Sequence, residues 1–108
     1  HNNRCQKSRL GVKLLEKMGC DFEIINYLIN PITKETLKTI IKALDMQPID
    51  LVRTNEALWK SEFKSKTLSD DEIINAMLSH PKLIERPIVT NGNKAVVGRP
   101  TERIQEIL

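Results

Sequence analysis

Aromatic side chains are scarce in this sequence of 108 residues, and their scarcity limits the possible partners. One Trp, one Tyr and two Phe are present, together 4% of the chain. Nucleic-acid-binding surfaces combine a dense basic stripe with aromatic side chains on which bases stack. Residues 1–17 are rich in Lys and Arg but contain no aromatic residue, and the net charge is only +3. We therefore expect no nucleic-acid partner, although the basic stretch favours binding of anions.

Long apolar runs and a cysteine pair suited to a disulfide are also missing. No apolar run approaches the roughly 18–20 residues that a transmembrane helix needs, so we expect no membrane partner. A helix between Cys5 and Cys20 would separate them by about 20 Å, whereas a disulfide needs Cα atoms within about 7 Å. Two unpaired thiols in a small protein predict a cytoplasmic location. The length suffices for one domain, which we expect to be a monomer.

Metal-binding and several catalytic motifs are absent as well. Histidine occurs only at His1 and His80, which gives too few ligands for a zinc site, and we expect no bound metal or cofactor. The sixth residue after Cys5 is Gly11, so the C-x5-R loop of low-molecular-weight tyrosine phosphatases is not present. Cys5 and Ser8 form a C-x-x-S motif, which lacks a second thiol. A redox reaction at Cys5 would therefore need an external thiol.

Hydrophobic periodicity predicts a mainly helical chain. Residues 5–18 are predicted to form a helix that ends at Gly19. The predicted buried face of this helix contains Leu10, Leu14 and Met18, with Leu15 beside them. Further helices are predicted over residues 33–44, 48–53, 56–63 and 69–80 and from Pro100 onward.

Capping residues and apolar spacing support these helices. Thr33 can cap the second helix, and Ser69 with Glu72 forms a capping box at the start of the helix before Pro81. The final helix is predicted to carry one apolar face, made of Ile104, Ile107 and Leu108.

Other segments have the pattern of strands. Phe22–Tyr27 is short and rich in β-branched and aromatic residues. Pro87–Thr90 and Ala95–Val97 flank Asn91–Gly92, a dipeptide that favours tight hairpin turns. A βαβ unit would need a strand before the first helix, but only His1–Arg4 precede it. We therefore expect the natural protein to begin earlier, with an apolar first strand that is missing here and lies between the other two.

Cys5 has the setting of a reactive thiol. It would lie at the start of the first helix, where backbone N–H groups and the helix dipole favour negative charge. Arg4, Lys7 and Arg9 add positive charge nearby, and His1 can reach the sulfur from an extended segment. Both effects lower a thiol pKa, so we expect a value below the ordinary one of about 8.5. The pattern predicts a thiolate nucleophile; the alternative is a buried, inert cysteine.

Two arginines flank the predicted hairpin. If the turn is centred near Gly92, Arg86 before the first strand and Arg99 after the second lie opposite each other. The expected first strand would place Cys5 beside Arg86. The planar fork of an arginine suits tetrahedral oxyanions, so the three residues predict an oxyanion site with a nucleophile. The alternative is that both arginines are solvated surface residues.

Five segments of the chain resemble the ArsC family, the glutaredoxin-dependent arsenate reductases. The active-site segment of that family is similar to His1–Arg9, which follows the pattern H-N-x-x-C-x-x-S-R. The other matches follow in the same order at nearly the same spacing: Asn26–Leu28, Leu51–Arg53, His80–Val89 and Gly98–Pro100. The resemblance extends over the whole chain, from residue 1 to residue 108.

The resemblance implies a fold and a reaction. The fold would be α/β and thioredoxin-like, with a small mixed sheet flanked by helices and a cis Arg86–Pro87 peptide. Residues 1–108 would form one domain, with a helical insertion over about 33–84 between the second and third strands. In such enzymes the residue matching Cys5 attacks arsenate and forms a thiol–arsenate adduct. Glutathione, a co-substrate, then displaces the adduct, and glutaredoxin reduces the mixed disulfide as arsenite leaves.

The resemblance also assigns roles to individual residues. The positions matching Arg53, Arg86 and Arg99 bind the oxyanion. The position matching His1 helps to keep Cys5 as a thiolate. The remaining matched positions support the site: Ser8, Arg9 and Pro87.

The sequence departs from the usual family pattern next to the cysteine. Asn3 replaces a proline, Arg4 stands where a small residue or Lys is common, and Gln6 and Lys7 replace a Gly-Thr pair. These changes affect efficiency and substrate range more than fold. Two alternatives remain: a regulator similar to Spx that binds RNA polymerase, although Ser8 removes its C-x-x-C switch, and a family member that acts on glutathione-linked substrates without arsenate activity.

Overall fold

The computed structural model describes all residues from His1 to Leu108. Four α-helices are present: α1 (Gln6–Lys17), α2 (Lys34–Leu44), α3 (Ala57–Glu62) and α4 (Asp70–Ser79). One antiparallel hairpin is formed by β1 (Ile88–Asn91) and β2 (Lys94–Val97). Three 3₁₀ helices complete the structure: Pro48–Leu51, Pro81–Leu83 and Thr101–Ile107. None of the helices has the length and apolar character that spanning a membrane requires.

The chain divides into two compact units. The first contains His1–Asn30 and Arg86–Leu108, and the second contains Pro31–Glu85. The second unit is therefore one continuous segment inserted into the first. That residues 1–108 act as a single domain with an insertion over about 33–84 stays a prediction.

Helix α1 begins and ends where the sequence predicts, but it buries a different face. Cys5 is the N-cap, and Gly19, with a left-handed φ of +70°, follows the C-cap. The buried residues are Ser8 and Gly11, which are small, and Leu15 further along the helix. Leu10 and Met18, predicted to be buried, are 37% and 44% exposed, so that part of the prediction was wrong.

The reason for this rotation is a close approach at Gly11. Because Gly11 has no side chain, Pro87 and Ile104 approach its Cα closely, and the helix turns this side inward. Periodicity shows that a helix has an apolar side. It does not show which side the rest of the protein will approach.

The hairpin is confirmed, with limits shifted by about one residue. Ile88 pairs with Val97 and Asn91 with Lys94, so the turn consists of Gly92 and Asn93. Gly92 has a φ of +61°, as the first central residue of a two-residue hairpin turn often does. The final helix is 3₁₀, and its i, i+3 spacing buries Ile104 and Ile107. Leu108, predicted to share their face, is 47% exposed.

The core of the first unit lies between α1, β2 and the final 3₁₀ helix. Its fully packed members are Leu15, Val96, Ile104 and Ile107. Leu14, Val89 and Cys20 pack against this cluster. The side-chain amide of Asn91 also donates a 2.7 Å hydrogen bond to the carbonyl of Ile107, which ties the hairpin to the last helix.

The predicted strand Phe22–Tyr27 is not formed. This segment has no regular secondary structure, and the sheet consists of β1 and β2 alone rather than a mixed set of strands. A strand requires a neighbour to satisfy its backbone N–H and C=O groups, and no segment between His1 and Leu108 provides one for these residues.

The second unit is built from capped helices. The Thr33 side chain accepts a hydrogen bond from the Thr36 amide at the start of α2. At α4 the Ser69 hydroxyl accepts from the Glu72 amide at 3.2 Å, and the Glu72 carboxylate accepts from the Ser69 amide at 3.1 Å. Both predicted caps are therefore confirmed. A Lys34–Asp71 ion pair at 2.7 Å links the two helices.

Replacing Ser69 by Ala should destabilise the protein. The change leaves the Glu72 amide without its capping acceptor, and losing such a cap costs about 1 kcal/mol of unfolding free energy. Urea denaturation would measure the difference. Ser65→Ala is the matched control, since Ser65 is exposed and its side chain makes no hydrogen bond. Equal stability of the two variants would contradict the role of the capping box.

Candidate active site

Cys5 lies at the amino end of α1, where a short turn presents it. Its backbone is extended, with φ −91° and ψ 124°, before the helix begins. The carbonyl of Asn2 accepts the Cys5 amide at 3.0 Å, and the side chain of Asn2 accepts the Arg4 amide at 3.0 Å. The Asn2 amide in turn donates to the hydroxyl of Ser8, which is completely buried. This turn fixes the sulfur over the first amides of the helix.

Arg99 reaches the cysteine from the far end of the hairpin. Its Nη2 donates to the Cys5 sulfur at 3.7 Å, which is within hydrogen-bond range for sulfur. Its Nε donates to the backbone carbonyl of Arg86 at 2.6 Å. The guanidinium is therefore held at two points, and its position depends on the backbone before β1.

The thiol of Cys5 is acidified by its surroundings. Partial burial raises its pKa, but four donor groups near the sulfur act in the opposite direction: the Ser8 amide, the Arg86 guanidinium, the Ser8 hydroxyl and the Lys7 amide. The net effect lowers the pKa of Cys5 to about 7. Two of these donors are free amides of the first helical turn, as expected for a cysteine at a helix start. The prediction of a lowered pKa agrees with this geometry.

Arg86 has further hydrogen-bonding capacity beside the sulfur. Its Nε and Nη1 are buried and have no hydrogen-bond partner. A buried donor without a partner costs on the order of 1–3 kcal/mol, and more when it carries charge. An oxyanion that reached the Cys5 sulfur could accept these hydrogen bonds. Arg86 therefore has two buried donors without partners close to the Cys5 sulfur, and its assignment as an oxyanion ligand stays a prediction.

Among the predicted supporting residues, Ser8 and Pro87 contact this arrangement directly. Ser8 lowers the pKa of the thiol through its amide and its hydroxyl, and Pro87 packs on α1 at Gly11. The Arg86–Pro87 peptide is cis, as predicted, and so is Arg99–Pro100, which the sequence reading missed.

Arg9 and His1 are less engaged with the sulfur. Arg9 is exposed and donates through Nη1 to the Asn3 carbonyl at 3.1 Å, which holds the turn rather than the thiol. His1 is partly buried, and its imidazole makes no hydrogen bond to Cys5. Its role in keeping the thiolate stays a prediction.

Arg53 belongs to the second unit and has acidic partners there. Its Nη1 pairs with Glu56 at 2.6 Å, and its Nε pairs with Glu85 at 3.2 Å. The backbone next to it forms a bridge between Val52 and Ile84. Its assignment as an oxyanion ligand stays a prediction.

Two residues of the site lie within the matched motifs, but no role was predicted for them from the sequence. Asn2 organises the turn before Cys5, and the Asx-turn tendency of asparagine is a signal that could have indicated this role. Gly98 donates its amide to the Pro87 carbonyl at 2.9 Å and connects the two ends of the hairpin. The motif that contains Gly98 does not reveal this role, because the role comes from a neighbour eleven residues away in the chain.

The fold and this site define a class: a thioredoxin-like protein with one acidic thiol beside two arginines. The sequence profile of the ArsC family matches residues 1–107. The chain belongs to the ArsC family.

Several relatives of known sequence or structure are covered by this chain over more than nine tenths of their length. An arsenate reductase from Haemophilus influenzae is 41% identical over 100% of this chain and 95% of its own. An uncharacterized protein, YfgD, from Escherichia coli is 41% identical over 100% of this chain and 92% of its own. The solved structure of an arsenate reductase from Vibrio cholerae matches with a TM-score of 0.94 at 41% identity, covering 100% of this chain and 93% of that one.

The first test of the site is the pH dependence of Cys5 alkylation. With a pKa of about 7, the thiolate should predominate above neutral pH, and the alkylation rate should level off there. Iodoacetamide labelling of the Cys20→Ser variant between pH 5 and 10 would give the titration curve of Cys5 alone. The Cys5→Ser variant reports Cys20 in the same way. Equal rates for the two thiols at pH 6 would show that Cys5 is not activated.

Proposed function

We propose that this protein is an arsenate reductase that uses Cys5 as its nucleophile and takes electrons from glutathione and glutaredoxin. The observation that carries the proposal is the pair of unpartnered Arg86 donors beside a thiol of lowered pKa. A tetrahedral oxyanion carries several acceptor oxygens and fits a guanidinium fork. Arsenate also offers a thiolate an electrophilic centre, so binding and reaction would occur at one place.

The first step forms a bond between sulfur and arsenic. Arg86 and Arg99 hold the arsenate oxygens, and the Cys5 thiolate attacks arsenic as one oxygen leaves as water after protonation. No electrons are transferred in this step, and arsenic remains As(V). Two fixed guanidiniums would stabilise the negative charge on the oxygens during the attack.

The second step transfers two electrons and requires an external thiol. Glutathione attacks the Cys5 sulfur, a disulfide bond forms between them, and the electron pair of the S–As bond stays on arsenic. Arsenic leaves as arsenite, As(III). A glutaredoxin thiolate then attacks the glutathione sulfur and releases the Cys5 thiolate. Such a cycle agrees with a C-x-x-S motif, because Ser8 cannot resolve the intermediate as a second cysteine would.

Further elements of the proposal concern Arg53, His1 and the setting of the protein. Arg53 would contribute a third guanidinium to the oxyanion, and His1 would favour the thiolate. The protein would act as a monomer without a bound cofactor. It would work in the cytoplasm, where reducing conditions keep Cys5 and Cys20 as thiols.

A coupled assay tests the proposal. Arsenate-dependent NADPH oxidation, with glutathione, glutaredoxin and glutathione reductase present, should depend on Cys5 and disappear in Cys5→Ser. Cys20→Ser should retain the activity. Turnover of glutathione mixed disulfides without any arsenate dependence would reject arsenate as substrate and favour the alternative that acts on glutathione-linked compounds.

Arg86→Lys and Arg99→Lys should each lower kcat/KM for arsenate. A lysine keeps the charge but cannot make two parallel hydrogen bonds, and we expect a loss on the order of 2–4 kcal/mol of transition-state stabilisation. Arg103→Lys is the matched control, since this arginine is 47% exposed and pairs with Glu106. Steady-state kinetics would measure all three variants. If the two site variants behaved like the control, neither arginine would act on the oxyanion.

A further inference from the structure

Two glycines enclose the proline that follows Arg86. A Cβ atom added to Gly11 would lie 3.2 Å from Pro87 Cγ and 3.3 Å from Ile104 Cδ1. A Cβ atom added to Gly98 would lie 3.0 Å from Pro87 Cγ and 3.1 Å from Ile104 Cδ1. Carbon atoms prefer separations of about 3.5–4.0 Å, so either addition would push the same two side chains. Gly11 lies in α1 and Gly98 directly follows β2, so the two glycines face these side chains from different elements.

We propose that Gly11 and Gly98 are positioning residues, which let Pro87 and Ile104 pack so closely that Arg86 and Arg99 are set at the correct spacing around the Cys5 sulfur. Ile104 is completely buried, and its Cδ1 is close to the position that a Cβ atom would take at either glycine. It fills space that side chains at these positions would otherwise take. The proposal rests on the proposed function only in treating Cys5 as the nucleophile.

The connection from this packing to the arginines is short. Pro87 directly follows Arg86, and Gly98 directly precedes Arg99. The Gly98 amide donates to the Pro87 carbonyl at 2.9 Å, and Arg99 Nε donates to the Arg86 carbonyl at 2.6 Å. These two hydrogen bonds join the same two backbone segments. A displacement of Pro87 therefore moves both arginine anchors.

A small displacement is enough to matter at the sulfur. Arg99 Nη2 lies 3.7 Å from Cys5 Sγ, close to the outer limit for a hydrogen bond to sulfur. Close packing in protein interiors transmits strain rather than absorbing it, because few voids are present. A shift of a few tenths of an ångström at Pro87 would lengthen or tilt this contact. The glycines would thus control how strongly the arginines stabilise the thiolate.

Gly11→Ala and Gly98→Ala test the proposal through the alkylation of Cys5, without arsenate. Made in the Cys20→Ser background, each should slow iodoacetamide labelling at pH 6 by about threefold or more, the effect of a rise of about half a pKa unit on the thiolate fraction. Alanine favours helix more than glycine does, so at Gly11 a rise in pKa cannot be ascribed to a weakened helix. An unchanged labelling profile in both variants would overturn the proposal.

Ile104→Val supplies a rescue that a merely structural role would not predict. At Gly11 the Ile104 atom nearest to the added methyl group is Cδ1, which valine lacks, so Gly11→Ala combined with Ile104→Val should label faster than Gly11→Ala alone. Failure of this rescue would mean that Ile104 does not transmit the displacement, contrary to the proposal.

Gly19→Ala is the matched control. Nothing lies within 4 Å of a Cβ there, but its φ of +70° makes alanine strained. It should lower the Tm and leave the labelling profile of Cys5 unchanged. If it slowed labelling as much as Gly98→Ala, general destabilisation would explain the result and the proposal would fail. Loss of arsenate turnover with the expected labelling pattern would reject the proposed function alone.

Discussion

Stabilising negative charge on a partly buried sulfur is the requirement on which the first unit depends. Burial alone raises the pKa of Cys5, so the thiolate forms near neutral pH only because hydrogen-bond donors surround it. Some of these donors are local, namely the first amides of α1. The Ser8 hydroxyl is local as well, whereas the guanidiniums of Arg86 and Arg99 come from far away in the chain. The fold must therefore bring the start of α1 and both ends of one hairpin to the same place.

The hairpin meets this requirement through its register. Ile88 pairs with Val97 at the end of the ladder away from the turn. Arg86 and Arg99, which lie just outside the ladder, are therefore at the same end of the hairpin. Arg99 then bonds to the Arg86 backbone, which makes the position of one arginine dependent on the other. The two arginines differ in how many hydrogen-bond donors they have left for a ligand. Arg86 keeps two buried donors without partners, which suits it to an incoming oxyanion, while Arg99 is anchored and directed at the sulfur.

The second unit obeys different constraints. Helices α2 and α4 are capped and joined by an ion pair, and Arg53 of this unit is engaged by Glu56 and Glu85. An oxyanion at Arg53 would compete with these carboxylates for the same guanidinium. A guanidinium with carboxylate partners has less to gain from an anion than the unpartnered donors of Arg86. This difference makes Arg86 the stronger of the two candidates for primary anion binding.

The sequence by itself determined the features that depend on near neighbours. The helix start at Cys5, the capping box at Ser69, the stop at Gly19 and the turn at Gly92 each involve residues only a few positions apart, and all were predicted. The predicted site residues Cys5, Arg86 and Arg99 also came together. Only the tertiary structure decided which face of α1 is buried and that Phe22–Tyr27 is not a strand. Both features depend on what packs against the segment. A helix buries the face that another element approaches, and a strand forms only beside a partner strand. Neither feature can therefore be predicted from the segment alone.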